Sequence, residues 1–159
     1  MLIAGNWKMN TNVPEGRALA QVIWDRLSTS SHPFDGVDVL VCPPFVHLPA
    51  VIDALDASPV AVGAQDMHAE DEGAYTGDVS APMLTSVGCD YVILGHSERR
   101  KYYDETDAEV NAKVTQAKAH DLVPIVCVGE TLEQRQAGDA EAVVRRQVDG
   151  PLEGVSIES

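Results

Sequence analysis

The chain has 159 residues, 45% of them hydrophobic and 23% charged, with 11 Lys plus Arg against 25 Asp plus Glu for a formal net charge of −14. This composition excludes a disordered or collagen-like chain. The acidity excludes a basic footprint for nucleic acid or an anionic membrane, so small molecules or other proteins are the expected partners. The length predicts a single domain over residues 1–159 with a sizeable core. Cys42, Cys89 and Cys127 form no CxxC pair and lie in or beside apolar runs, so they are read as reduced, buried thiols of a cytoplasmic protein. The start, Met1-Leu2-Ile3-Ala4-Gly5, lacks the features of a signal peptide, and no run approaches the ~20 apolar residues of a membrane helix. The acidity fits either simple solubility or a salt-rich habitat, and a thermal stability that rises toward molar salt separates the two.

In chain order, Leu2–Ala4 opens a strand, and Leu19, Val22, Ile23 and Leu27 share a helical face after Pro14. Val37–Cys42 and Val60–Val62 are the next strands. Residues Gln65 to Val79, about 15 in number, show no periodicity, which is long for a plain connection. Ser80 followed by Pro82 starts a helix, and Tyr91–Leu94 is a fourth strand. Thr106 with Glu109 and Thr131 with Gln134 have capping-box spacing, in which a hydroxyl takes an orphan helix N–H and the second side chain reaches back. Val110, Val114 and Ala117 line the first of those helices, and Leu122–Val128 is a fifth strand. A last amphipathic stretch with Ala140, Val144 and Val148 ends at Gly150-Pro151.

Strands and helices thus alternate, and the strands are continuously apolar, which argues for an α/β fold with a parallel sheet covered by helices. Length alone favours a doubly wound open sheet, because a (β/α)8 barrel typically needs ~250 residues.

In either architecture, ligands gather at the carboxyl ends of the strands. Asn6, Trp7 and Lys8 follow the first strand, Gly95 to Arg99 the fourth, and Gly129 and Glu130 the fifth. Neither GxGxxG nor the Walker loop occurs, so nucleotide cofactors have no support. If the strands are neighbours, a cation, an amide and an imidazole converge on one rim, which suits an anionic, oxygen-rich substrate. Lys8 neutralises the anion, Asn6 donates a hydrogen bond, and a neutral His96 polarises a carbonyl. The competing reading is a solvated Lys8 and a satisfied loop His96. Asp66, His68, Glu70, Asp71 and Glu72 match no common metal spacing, so no metal site and no cofactor is expected.

Two long segments, Ala4-Gly5-Asn6-Trp7-Lys8-Met9-Asn10 and Tyr91-Val92-Ile93-Leu94-Gly95-His96-Ser97-Glu98-Arg99-Arg100, closely resemble the signatures of the triosephosphate isomerase family. Cys42-Pro43-Pro44-Phe45, Gly63-Ala64-Gln65-Asp66, Gly73-Ala74-Tyr75-Thr76-Gly77 and Cys127-Val128-Gly129-Glu130-Thr131 resemble it in the same order. The resemblance implies a (β/α)8 TIM barrel, here truncated after about the fifth β/α unit, in place of the open sheet. It implies interconversion of dihydroxyacetone phosphate and glyceraldehyde 3-phosphate through an enediolate, without a cofactor, in glycolysis and gluconeogenesis. Lys8 is then the electrostatic partner of the substrate, Asn6 a hydrogen-bond donor and His96 the electrophile. A histidine held neutral by a helix N-terminus is a known property of this family, and Ser97 as the start of a short helix is compatible with it. Glu98 orients Lys8, and the loop carrying Thr76 reaches into the partner of a homodimer.

The family pattern continues into a sixth strand with a glutamate base, a lid and later phosphate-binding loops, and no segment here resembles them. Glu130 belongs to a supporting position and is a poor substitute, since a base must lie within ~3 Å of the carbon acid. The isolated chain is therefore expected to be inactive and, with open sheet edges, to associate or fold only in part. The alternative is a non-catalytic half-barrel that needs a complementing chain.

Overall fold

A computed structural model describes residues 1–30 and 36–156. Its strands are β1 (Leu2–Asn6), β2 (Asp38–Cys42), β3 (Ala61–Ala64), β4 (Tyr91–Leu94) and β5 (Val123–Val126), all parallel in the order β1-β2-β3-β4-β5. Each strand adds on the same side of the one before. A doubly wound sheet reverses direction at a switch point, and this one does not, so the length-based reading of an open sheet fails and barrel winding holds. The register pairs Asn6 with Cys42 and Leu94 with Val126. The ladder runs on through Trp7 N–H to Cys42 O at 3.0 Å and Cys127 N–H to Leu94 O at 2.8 Å. These pairings bring the strand ends to a common rim.

The helices are α1 (Val13–Ser28), α2 (Leu48–Leu55), α3 (Ala81–Ser86), α4 (Ser97–Tyr102), α5 (Asp107–Ala119), α6 (Leu132–Ala137) and α7 (Ala140–Asp149). Both expected capping boxes form, Thr106 with Glu109 and Thr131 with Gln134. A third, Asn12 with Glu15, starts α1. The α1 face differs from expectation: Gly16 and Ala20 are buried, while Leu19 and Val22 are 38% and 50% exposed. The cause is close approach, because a Cβ on Gly16 would lie 2.7 Å from His47 Cδ2. In α7 the buried residues are Val143 and Gln147, one position before Val144 and Val148. Gln147 faces inward because its Oε1 accepts the Gly129 N–H at 2.7 Å.

Alternation along the strands splits the apolar residues between two faces. Val41, Val62, Val92 and Leu94 pack outward with Val51, Leu84, Val110 and Val114 of the helices. Leu40, Cys42 and Ile93 point inward, with Ala61, Tyr91, Ile125 and Cys127 partly buried around them. Among the described residues β1 pairs only with β2 and β5 only with β4, and Leu2, Ile3 and Val123 are exposed. Edge position thus overrides the apolar character of β1. The cysteines are free: Cys42 and Cys89 are buried, and burial pushes both thiols up to about 12, while Cys127 is half-buried. No helix among the described residues is long and apolar enough to cross a membrane.

Candidate active site

At the end of β1 the chain turns sharply, and Lys8 takes a left-handed backbone with φ 55°. That conformation is costly for a residue with a Cβ, so something must hold it. Asn6 Oδ1 accepts the Lys8 N–H at 2.9 Å, which leaves the Asn6 amide NH2 as the group available to a ligand. The Lys8 ammonium donates to Glu98 Oε1 at 2.7 Å, and this bond holds the Glu98 carboxyl below its usual range. Both side chains are about half exposed, so solvent screens the pair and its effect is orientation more than stability. Asn6, Lys8, Gln65, His96 and Glu98 share a cleft of about 340 Å³.

His96 is the N-cap of α4, and its Nδ1 accepts the Glu98 backbone N–H at 3.2 Å. A nitrogen that accepts carries no proton, so this contact assigns the ring hydrogen to Nε2. Glu98 Oε2 lies 3.7 Å from the same Nδ1, too far to compete as a hydrogen bond. Ser97 is the first residue of α4, as its position after His96 predicts, and its side chain is exposed. Gly95, with φ 71°, makes the turn from β4, and a Cβ there would lie 2.9 Å from Arg100 Nη2.

A family model described as triosephosphate isomerase matches residues 1–159. This chain belongs to the triosephosphate isomerase family. It is 54% identical over 155 residues to a triosephosphate isomerase of Rhodopirellula baltica, covering 98% of this chain and 59% of that relative. A triosephosphate isomerase of Herpetosiphon aurantiacus is 52% identical over 157 residues, covering 99% of this chain and 61% of the relative. The crystal structure of triosephosphate isomerase from Bartonella henselae superposes with a TM-score of 0.89 at 41% identity, over 98% of this chain and 62% of that one. The chain thus spans about 60% of the length of these family members.

Of the residues singled out from the signatures, Asn6, Lys8, His96 and Glu98 line one cleft, while Ser97 lies beside it, toward Gly129 and Glu130. Thr76 does not join them within this chain: it is exposed in the irregular segment after β3. That segment folds on itself through stacking of His68 on Tyr75, with ring centroids 4.0 Å apart, and a bond from His68 N–H to Val79 O at 2.8 Å. Two of its carboxylates have other partners: Asp71 contacts His120 and Gln116, and Asp66 contacts Lys113 and Arg99. Glu130 pairs with Arg135, and its own backbone N–H together with Arg135 holds its carboxyl below the usual range.

Two features escape the sequence. Gln65 Nε2 donates to Lys8 O at 3.0 Å and to Cys42 O at 2.8 Å. Behind the cleft, buried Lys113 bridges Asp66 at 2.8 Å and Glu105 at 2.5 Å, and Arg99 meets the same two carboxylates at 2.9 and 3.4 Å. Burial raises the Asp66 carboxyl against the opposing pull of Lys113 and Arg99. The available signal was Lys113 itself, a charge in register with Val110, Val114 and Ala117 on the apolar face of α5, where it requires partners.

Proposed function

We propose that this chain supplies the first five β/α units of an enzyme that interconverts dihydroxyacetone phosphate and glyceraldehyde 3-phosphate through an enediolate, as one domain over residues 1–159. The observation that carries this reading is the His96 ring, whose Nδ1 accepts the Glu98 N–H and which shares one cleft with Lys8 and Asn6. Lys8 neutralises the phosphorylated substrate and the charge that develops on its oxygens, and Asn6 donates through its amide. His96 polarises the carbonyl, and Glu98 keeps Lys8 in place while its backbone fixes the His96 tautomer. Ser97 opens the short helix that His96 caps.

Proton abstraction needs a base, which the family resemblance places in a sixth strand beyond the five described here. Glu130 is a weak proton acceptor because Arg135 and its own N–H already hold it ionised. Assembly as a homodimer through the exposed segment that carries Thr76, and a cytoplasmic place in glycolysis and gluconeogenesis, complete the reading.

The test is a hybrid of this chain with the remaining units of the Rhodopirellula baltica relative, assayed with glyceraldehyde 3-phosphate. The hybrid is expected to turn over and the chain alone is not. His96→Gln should lower kcat of the hybrid by roughly 10²- to 10⁴-fold with little change in KM. A His96→Gln hybrid as fast as its parent overturns the assignment. A second reading, a non-catalytic half-barrel that needs a complementing chain, draws on the unpaired outer edges of β1 and β5. It prevails if the hybrid folds but neither binds nor converts triose phosphate.

A further inference from the structure

The left-handed Lys8 sits in a turn with few internal fasteners. Asn6 Oδ1 holds its N–H, and Asn10 Nδ2 donates to Trp7 O at 2.7 Å. Neither bond reaches the Lys8 carbonyl. The Gln65 side chain does, from the end of β3, passing over the end of β2 to meet β1. One Nε2 places its two hydrogens on two carbonyl oxygens, Lys8 O and Cys42 O. Because both neighbours are acceptors, the amide can face them only through nitrogen, and its orientation is fixed. Cys42 O also receives the Trp7 N–H, so the three strand ends are joined at one oxygen and one amide.

We infer that Gln65 is a positioning residue for Lys8: its carboxamide fixes the left-handed turn that aims the ammonium at Glu98 and into the cleft. The chemistry of the contact is restrictive. A glutamate of the same shape would set a carboxylate oxygen against two carbonyl oxygens, and a methionine would fill the space without a donor. The inference rests on the isomerase reading only for the use made of Lys8.

The test is hydrogen exchange followed by mass spectrometry on the hybrid with the remaining units of the Rhodopirellula baltica relative and on its Gln65→Glu and Gln65→Met variants. Exchange in residues 6–12 should rise by about fivefold or more, from the loss of two hydrogen bonds, while residues 107–119 in α5 stay as before. In the same variants the Glu98 carboxyl should titrate closer to its ordinary value of 4.5, because the Lys8 bond that lowers it is loosened. Unchanged exchange at 6–12 overturns the inference. An equal rise in α5 also overturns it, since Gln65 would then support the whole fold and not the turn. If Gln65→Glu fails to fold, the uncharged Gln65→Met gives the same readout. No substrate enters the measurement, so an inactive hybrid and a failed positioning role are separate results.

Discussion

The two faces of the sheet carry similar side chains to opposite ends. On the outer face, Val92 and Leu94 are fully buried beneath α5 and its neighbours. On the inner face, Leu40, Cys42 and Ile93 are buried, while Ile125 and Cys127 stay partly open. One residue of offset along β4 thus moves a side chain from the large core to the small one. Burial in this molecule follows from what covers each side chain, helices on the outer face and neighbouring inner side chains in the middle of the inner face.

The comparison can be broken most directly through association. An inner face with exposed apolar side chains, flanked by β1 and β5 with unpaired outer edges, should make the chain self-associate at micromolar concentration. Sedimentation that shows one monomeric species, together with cooperative melting, would contradict this.

Substitutions sharpen it next. Behind the outer face, Lys113→Met leaves Asp66 and Glu105 buried with Arg99 as their remaining shared cation, at a cost of up to about 3–5 kcal/mol. Leu94→Ala should cost roughly 2–5 kcal/mol, whereas Ile3→Ala, at a position 52% exposed, should cost about 0.5 kcal/mol or less. Denaturant unfolding of the three variants measures the order. Equal losses at Leu94 and Ile3 would mean that the outer side of β1 is covered in solution.

The smallest effect is expected from acid. Glu109 is held below its ordinary value of 4.5 by its bonds to the Thr106 backbone and hydroxyl. Glu98, Glu130 and Glu133 are also lowered, first of all by Lys8 for Glu98 and by their own backbone N–H groups for the other two. A carboxyl lowered on folding adds stability above its unfolded pKa and loses it as pH falls through the folded value. For these four carboxyls stability should be flat above about 5 and decline below it, with Asp66, raised by burial, acting in the opposite direction, and Thr106→Ala should soften that decline. Circular dichroism across an acid titration checks both.

Much of this fold was legible because its signals are local. All five strands lie within the apolar runs or end a residue or two beyond them, and the Thr106–Glu109 and Thr131–Gln134 boxes form as spaced. The choice between open sheet and barrel was not local: strand order is a property of neighbours, and only the resemblance of the signature segments carried it. The buried face of α1 was misjudged because Gly16 and Ala20 offer no hydrophobic signal, yet their small size is what lets the helix approach His47. Asn6, Lys8, His96 and Glu98 were legible from two long segments. Gln65 was not, since its role depends on contacts with residues 57 and 23 positions away.

The backbone at Lys8 carries a further meaning. A glycine there would adopt φ 55° without steric penalty, so Lys8→Gly is the rare change that relaxes a protein while removing its charge from the cleft. Selection for thermal endurance alone would erode this position. A lysine there carries a folding cost that a glycine would not.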